Sequence, residues 1–130
     1  MEPIGVIRSE IKERKDAPLF YTDGAPNGIV KLFPAYAEGL YRMQIGDEII
    51  VITWLHQADR SVLKVHPRGD ESNPLTGVFS TRSPDRPNPL GLHRVAVLKI
   101  HGDHLHIGPI EAIDGTPVVD IKRVVESQDY

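Results

Sequence analysis

Cysteine is absent from the 130-residue chain, and aromatic residues make up only 6% of it. The first absence excludes disulfides, thiolate metal sites and a cysteine nucleophile. Long hydrophobic runs are also missing, since no segment approaches the roughly 20 apolar residues of a transmembrane helix. The start, MEPIGVIRSE, has neither a basic leader nor an apolar stretch. These absences predict a cytoplasmic protein without a membrane segment.

The sequence motifs of common nucleotide and hydrolase sites are absent as well. The chain has no G-x-G-x-x-G fingerprint and no Walker-type loop, which argues against a Rossmann dinucleotide site and a P-loop. It also lacks G-x-S-x-G and H-E-x-x-H. The net charge of -3 argues against a generally basic nucleic-acid-binding surface but leaves room for a local patch. The candidate patch residues lie in the middle of the chain: Arg60, Lys64, Arg68, Arg82, Arg86, Arg94 and Lys99.

Short β-strands are the predominant pattern among the residues that are present. Eleven glycines and eleven prolines interrupt runs rich in valine and isoleucine, with no long amphipathic helix between them. The pattern favours one domain, residues 1–130, of mainly β class, folded as a small closed or nearly closed β-barrel with at most short helices. A short helix is predicted at 36–43, and strands are predicted at 4–9, 28–33, 47–55, 61–66, 77–82, 92–101, 104–110 and 117–124.

One hairpin can be predicted in register. In KIHGDHLHI, residues 102–103 form a two-residue turn, so His101 lies opposite His104. Because paired residues share a face, one side of the hairpin carries Lys99, His101, His104 and His106, and the other carries Leu98, Ile100, Leu105 and Ile107. Three histidines on one face can bind a metal, but a solvated polar face that includes a lysine explains the same pattern. We therefore predict no metal site.

The segment TRSPDRPNPLGLHRV, residues 81–95, predicts a rigid loop. Its three prolines fix their own φ angles and push the residues before them toward extended backbone. One interpretation is a plain rigid connector. The other is a ligand site, because Arg82 and Arg86 offer planar donors for carboxylates and phosphates, and Asn88 adds an amide. Gly91 would then allow the backbone to approach a ligand closely.

Two further segments contain candidate functional groups. EAIDGTPVVDIK, residues 111–122, places Asp114 in a turn and Asp120 in an apolar strand, where a carboxylate must face solvent or find a buried partner. WLHQADR, residues 54–60, ends a strong strand with a tryptophan and His56. A turn-capping aspartate, a core tryptophan and an exposed histidine are the structural alternatives to functional roles.

Together these segments resemble a known family. GVFSTRSPDRPNPLGLHRV followed by IEAIDGTPVVDIK, with ITWLHQADR upstream, is similar to the TsaA-like family, whose characterised members are the S-adenosylmethionine-dependent tRNA methyltransferases called TrmO. The similarity runs from PIGVIRS near the start to DIK near the end, and the motifs RSP-x-RPNP and DGTP-x-x-DIK are highly specific. The resemblance implies a small β-barrel methyltransferase, unlike the Rossmann-type enzymes, that methylates N6 of threonylcarbamoyladenosine at position 37 of tRNA.

The resemblance also implies a homodimer with S-adenosyl-L-methionine bound near the subunit interface. Many family members carry a P-R-Q triplet near the N-terminus, whereas the corresponding stretch here is Pro-Leu-Phe at 18–20. An acceptor nitrogen must lose its proton on methylation, and the candidate bases are Asp114, Asp120 and His56, in that order. With the polar groups of the rigid loop included, the expected cofactor-binding residues are Pro18, His56, Gln57, Arg82, Arg86, Asn88, Leu92, Ile113, Asp114 and Gly115.

The methyl acceptor is predicted less specifically than the cofactor. Longer bacterial members carry a further C-terminal domain, whereas this sequence ends at Tyr130. Two alternatives therefore stand beside the tRNA methyltransferase. One is a methyltransferase that acts on a different substrate, and the other is a non-catalytic S-adenosylmethionine-binding module.

Overall fold

The fold is described from a computed structural model of the chain, over residues 1–13 and 24–125. Three short 3-10 helices occur in this part, at Pro34–Leu40, Pro67–Gly69 and Val78–Ser80. The strands in it are β1 (Gly5–Arg8), β2 (Gly28–Leu32), β3 (Glu48–Trp54), β4 (Lys64–Val65), β5 (Thr76–Gly77), β6 (Leu90–His101), β7 (His104–Gly108) and β8 (Pro117–Arg123). The prediction of a mainly β chain with only short helices is confirmed.

Six of these strands form one closed sheet. They are hydrogen-bonded in the order β1-β2-β7-β6-β3-β8, and β8 pairs back to β1, which makes a closed barrel. Every pair in it is antiparallel. A barrel of this kind leaves no unpaired edge in the ring and places alternate residues of each strand inside and outside.

Alternation of the side chains builds the core. In β3, EIIVITW, the residues Ile49, Val51 and Thr53 are buried while their neighbours are not, as the period of two in a strand requires. The remaining strands contribute inward aliphatic residues in the same way, so the interior is filled by branched side chains. The core members from the other strands and loops are Ile7, Val30, Leu32, Leu40, Val95, Val97, Leu105, Ile107, Ile110, Ala112 and Val118.

Two of the predicted strands are much shorter than expected. The predictions at 61–66 and 77–82 reduce to β4 and β5, which pair with each other outside the barrel. Proline has no N–H to donate, so Pro67 and Pro74, which flank this small sheet, limit its ladder. After β5 the chain turns into a 3-10 helix that buries Val78. The predicted helix at 36–43 is a 3-10 helix that begins at Pro34 and ends at Leu40.

The predicted hairpin register is confirmed in β6 and β7. His101 pairs with His104, and Lys99 with His106, as the Gly-Asp turn indicates. The prediction is wrong for Leu98, which is 43% exposed, because the register shifts between Val97 and Lys99 and the extra residue of this bulge points outward. Within residues 1–13 and 24–125, no group of three or more His, Asp or Glu side chains could hold a metal ion. No helix in this part is long and apolar enough to cross a bilayer.

Candidate functional site

Two segments at one end of the barrel are joined by hydrogen bonds. The Leu55 N–H donates to the carbonyl oxygen of Pro89 at 2.8 Å. The Asp59 N–H donates to Oδ1 of Asp85 at 2.8 Å. We call these segments, residues 54–60 and 82–90, the loop pair. The proline-rich loop is thus fixed against the end of β3, which agrees with the prediction that it is rigid.

Arg60 adds side-chain contacts that hold the loop pair together, and sequence reasoning missed this role. Its guanidinium lies over the Trp54 ring, 5.1 Å from the ring centroid. Its Nε donates to the Pro87 carbonyl at 2.7 Å, and its Nη2 donates to Oδ1 of Asn88 at 3.3 Å. The Asn88 side chain, a predicted cofactor ligand, is therefore engaged by the protein itself through its oxygen.

The two predicted arginines of the loop differ in their surroundings. Arg86 donates from Nε to the Ser83 carbonyl at 2.8 Å, and from Nη2 to the carbonyls of Val78 at 2.7 Å and Thr81 at 2.6 Å. It closes the loop on itself. Arg82 is exposed and has no hydrogen-bond or ion-pair partner in the part of the chain that the structure describes. Of the two, Arg82 is therefore the one whose whole guanidinium can turn to a ligand.

His56 and Gln57 are exposed at the start of the loop pair, next to the end of β3. Leu92 is 51% exposed on the outer wall of β6, opposite Ile52 of β3. These positions place the predicted residues at 56, 57, 82, 86, 88 and 92 at the same end of the β3–β6 pair. The predicted ligand Pro18 lies outside the described residues.

The predicted residues at 113–115 are attached to a different part of the barrel. The backbone N–H of Asp114 donates to the Ile11 carbonyl, and that of Gly115 to the Ile7 carbonyl, both at 2.7 Å. Gly115 has a φ of +85°, which glycine adopts without strain. Ile113 accepts from the Thr116 hydroxyl at 2.6 Å. The turn is thus bonded to the N-terminal segment.

The Asp114 carboxylate has a structural role in this turn. Its Oδ1 accepts the Ser9 N–H at 3.0 Å, and its Oδ2 lies 3.4 Å from Nζ of Lys12 and 3.9 Å from Nη1 of Arg8. The Ser9 hydrogen bond, assisted by Lys12 and Arg8, holds the pKa of Asp114 below its usual value, although desolvation opposes this. A carboxylate with a lowered pKa is a weak base at neutral pH.

Asp120 faces solvent, the first of the two alternatives that the sequence left open. It lies opposite Ile52 on the outer wall of the barrel, and its side chain is 51% exposed. Its Oδ2 is 3.8 Å from Nζ of Lys122, a loose ion pair at the surface. Its Oδ1 accepts the Ile121 N–H at 2.8 Å, so both carboxylate oxygens are used in local contacts.

A buried polar network lies directly beneath the loop pair. Oγ1 of Thr53 and Nε2 of His93 are 2.7 Å apart, and Nδ1 of His93 is 2.7 Å from Oε1 of Glu111. Thr53 is fully buried and His93 is 4% exposed. The second oxygen of Glu111, Oε2, is buried without a hydrogen-bond partner among the described residues. Since β3, β6 and the 111–115 segment each contribute one member, the network joins the two halves of the predicted site.

Sequence reasoning missed this network and the space that Gly91 leaves for it. A Cβ on Gly91 would lie 2.5 Å from Oγ1 of Thr53 and 2.7 Å from Nε2 of His93, so this glycine makes room for the protein's own network. Close approach of a ligand to the Gly91 backbone stays a prediction. The available signal was a histidine at an inward position of β6, in phase with Val95 and Val97.

The expected basic patch in the middle of the chain includes residues that make contacts within the protein. Arg60 and Arg86 are turned onto the loop pair, as described above. Arg94 is paired with Glu48 across β6 and β3. Three of the seven candidate charges are therefore used in local contacts.

Comparison with known proteins gives consistent results. The chain matches the family model described as the tRNA-methyltransferase O N-terminal domain over residues 6–130. A probable S-adenosyl-L-methionine-binding protein of Methanocaldococcus jannaschii is 47% identical over 105 residues, which cover 78% of this chain and 83% of that protein. Another, of Methanothermobacter thermautotrophicus, is 41% identical over 129 residues, which cover 99% of this chain and 92% of that protein.

Among solved structures, a crystal structure of TrmO from Pseudomonas aeruginosa aligns with a TM-score of 0.75 at 32% sequence identity. The alignment covers 98% of this chain but 55% of that one. This chain therefore spans about half the length of that TrmO.

Proposed function

Because the chain belongs to the tRNA-methyltransferase O N-terminal domain family, we propose that it is an S-adenosyl-L-methionine-dependent methyltransferase that acts on tRNA. The acceptor proposed is N6 of threonylcarbamoyladenosine at position 37. The family match over residues 6–130 carries this proposal, and the curated relatives are named for binding the same cofactor. Its proposed location is the cytoplasm.

The loop pair fits a cofactor that has a carboxylate and an apolar body. Arg82 is exposed and unpartnered within the described residues, so it can pair with a carboxylate. Leu90 and Leu92 are 45% and 51% exposed on the adjoining wall and can pack against an apolar group. Arg86 and Arg60 keep the loop in place by bonding its carbonyls. The bound cofactor supplies an electrophilic methyl group, and these residues would bind and orient it.

Among the three candidate bases, the geometry favours His56. The Asp114 carboxylate is held by the Ser9 N–H and has a lowered pKa. Asp120 lies on the outer wall beside Lys122. His56 is exposed at the loop pair with no side-chain partner in the described part, and an imidazole can accept a proton at neutral pH. We therefore propose His56 as the group that takes the proton from the acceptor nitrogen.

A homodimer is supported by an apolar strip on the outer wall of β3 and β6. Trp54 pairs with Leu90 and Ile52 with Leu92, and both leucines are about half exposed. Outward positions of a barrel are ordinarily polar, and an exposed apolar strip indicates a contact surface. A second copy that covers this strip would place its own residues beside Leu92. Sedimentation of wild type and Leu90→Glu tests this, with a monomeric wild type as the contrary result.

The cofactor proposal is tested by calorimetry with S-adenosyl-L-methionine on wild type and Arg82→Ala. Loss of a charge-assisted hydrogen bond is worth about 1.5–3 kcal/mol, so affinity should fall by about tenfold to a hundredfold. Arg123→Ala removes an exposed arginine at the far end of β8 and should bind as wild type does. Equal affinity of Arg82→Ala and wild type would contradict the assignment of Arg82.

The substrate proposal needs a second experiment. Wild type, incubated with the labelled cofactor and tRNA carrying threonylcarbamoyladenosine, should transfer the methyl group to position 37. The archaeal relatives are named for cofactor binding alone, which favours a non-catalytic binding module as the second candidate function. Cofactor binding without transfer to this tRNA would support the module, and transfer to a different acceptor would support the other alternative.

A further inference from the structure

One wall of the barrel carries basic side chains across four adjacent strands. The outward positions of β1, β2, β7 and the end of β6 form two cross-strand rows, which the pairing register defines. One row runs Lys99, His106, Ile29, Arg8, and the other runs His101, His104, Lys31, Val6. Three of these eight positions are lysine or arginine, three are histidine and none is acidic; the carboxylates nearest to them are Asp103, 2.8 Å from Nδ1 of His104, and Asp114, 3.9 Å from Nη1 of Arg8. We call this surface the basic face: Arg8, Lys31, Lys99, His101, His104 and His106.

This concentration departs from the overall charge of the chain, which is -3. Lys31 and Lys99 are exposed and have no ion-pair partner in residues 1–13 and 24–125. Lys31 stands directly opposite His104, and Lys99 opposite His106. Because no carboxylate among the described residues is paired with either lysine, both ammonium groups are available to an external anion.

A groove extends from the basic face to the predicted cofactor-binding turn. It has a volume of about 720 Å³, and its lining includes the cations Arg8, Lys12 and Lys99 together with the carboxylates Glu10 and Asp114. An anionic chain laid on the basic face would therefore run toward the 113–115 segment. The groove is lined by residues of β1, β2, β7 and the second half of β6, whereas the apolar strip lies at the end of β3 and the start of β6.

From these observations we infer that the basic face is the docking surface for the sugar-phosphate backbone of the RNA substrate. Lysine and arginine side chains neutralise phosphates and release counterions, which is the main source of affinity in such contacts. Neighbouring strands are about 4.8 Å apart, so four strands present cations over roughly 14 Å. A protein partner fits less well, since protein interfaces depend on aromatic and apolar anchors and the two rows offer only Val6 and Ile29. The inference rests on the proposed RNA substrate.

The test compares two double variants with equal loss of charge. Lys31→Ser with Lys99→Ser removes two cations from the basic face. Lys122→Ser with Arg123→Ser removes two exposed cations from β8, on another wall. Binding of an unmodified tRNA transcript is measured by fluorescence anisotropy from about 50 to 200 mM KCl. Melting temperatures and cofactor affinities are measured for each protein, because neither pair touches the core or the loop pair.

The basic-face variant should bind tRNA about tenfold or more weakly at 0.1 M salt, and its salt slope should be shallower by about 2. The β8 variant should remain within about twofold of wild type. Equal losses in both variants, or no loss in the first, would overturn the inference while leaving methyl transfer by wild type untouched. If wild type binds the cofactor but neither binds nor methylates tRNA, the proposed substrate fails. Binding to acidic phospholipid vesicles without binding to tRNA would overturn the inference as well.

Discussion

Replacement of Gly91 by alanine tests whether the buried network supports the candidate site. The added methyl group would lie 2.5 Å from Oγ1 of Thr53, 2.7 Å from Nε2 of His93 and 3.1 Å from Cδ2 of Leu55. Contacts below 3.0 Å require movement, and Thr53 and His93 are too deeply buried to move freely. The 2.7 Å hydrogen bond between them is therefore the contact expected to break.

The magnitude follows from two costs. Overpacking of a filled interior costs about 1–3 kcal/mol. Loss of the hydrogen bond between Thr53 and His93 costs about 1 kcal/mol more. The free energy of unfolding should fall by about 3 kcal/mol in total. The entropy of unfolding is about 2.1 cal/mol/K per residue, so for a chain of 130 residues the melting temperature should fall by about 11 °C.

Gly39→Ala is the matched control. Gly39 lies in the exposed 3-10 helix Pro34–Leu40, and a Cβ built on it meets no atom within 4 Å. This variant should melt within about 3 °C of wild type. In Thr53→Ala with Gly91→Ala, the hydroxyl that the methyl group strikes is gone, so the double variant should be less destabilised than the sum of the single variants. Calorimetric unfolding of wild type, Gly39→Ala, Gly91→Ala, Thr53→Ala and the double variant measures these differences.

Gly91→Ala should also weaken cofactor binding, because Gly91 lies between the exposed residues Leu90 and Leu92 in β6. If the start of β6 is displaced, both leucines move with it. A free energy of unfolding within about 1 kcal/mol of wild type would contradict the expected clash at residue 91. Destabilisation as expected, with unchanged affinity for S-adenosyl-L-methionine, would contradict the support of the cofactor site by the network. The second result would separate the network from the cofactor site.

Three further variants probe individual contacts. The pKa of Asp114 in the fold lies below 3.8, so its ionised form stabilises the fold at neutral pH, and this contribution is lost as the pH falls through the folded-state pKa. Asp114→Asn should therefore unfold more easily than wild type at pH 7 in urea titrations, and the difference should shrink as the pH is lowered below 3.8. A difference that stays constant would contradict this. In Arg86→Lys, the ammonium group cannot reproduce the guanidinium fork that binds three carbonyls. Calorimetry should show a loss of about 1–3 kcal/mol in the free energy of unfolding and a loss of cofactor affinity. Unchanged affinity would refute a role of the fixed loop in cofactor binding. His93→Leu leaves the Thr53 hydroxyl and the Glu111 carboxylate unpaired, so the free energy of unfolding measured with denaturant should fall by about 3 kcal/mol or more. A loss below about 1 kcal/mol would show that water replaces the imidazole.

Most of the barrel could be predicted because its signals are local. Runs of valine and isoleucine bounded by glycine and proline mark the long strands, and the Gly-Asp turn at 102–103 defines the register of β6 and β7. The bulge that exposes Leu98 has no local signal, because it depends on tertiary pairing: it lies just past Ala96, where the pairing of β6 with β3 ends and its pairing with β7 continues. The failure of the strand prediction at 61–66 has the same origin, since that segment has no place in the ring.

The site was predicted in part, through residues that resemble a family. What the sequence did not reveal is which polar groups the protein uses for itself. Prolines in the loop remove N–H donors, so carbonyls such as those of Thr81 and Ser83 lack backbone partners, and Arg86 supplies the missing donors. Arg82, which has the same side chain four residues earlier, donates to no carbonyl in the part of the chain that the structure describes. The distinction depends on tertiary geometry and is invisible in RSP-x-RPNP.

The pairing of β1 with β8 also determines when the barrel can close. Gly5 lies opposite Val118, so the first strand of the ring must wait for the last one. During synthesis from the N-terminus, β1 and β3 keep open edges until β8 leaves the ribosome, and the nascent chain is most prone to misassociation in that interval. Because β1 and β8 are antiparallel neighbours, the start of β1 and the end of β8 lie at the same end of the barrel. A short peptide linker could therefore join these two ends, and new termini could be opened elsewhere in the ring.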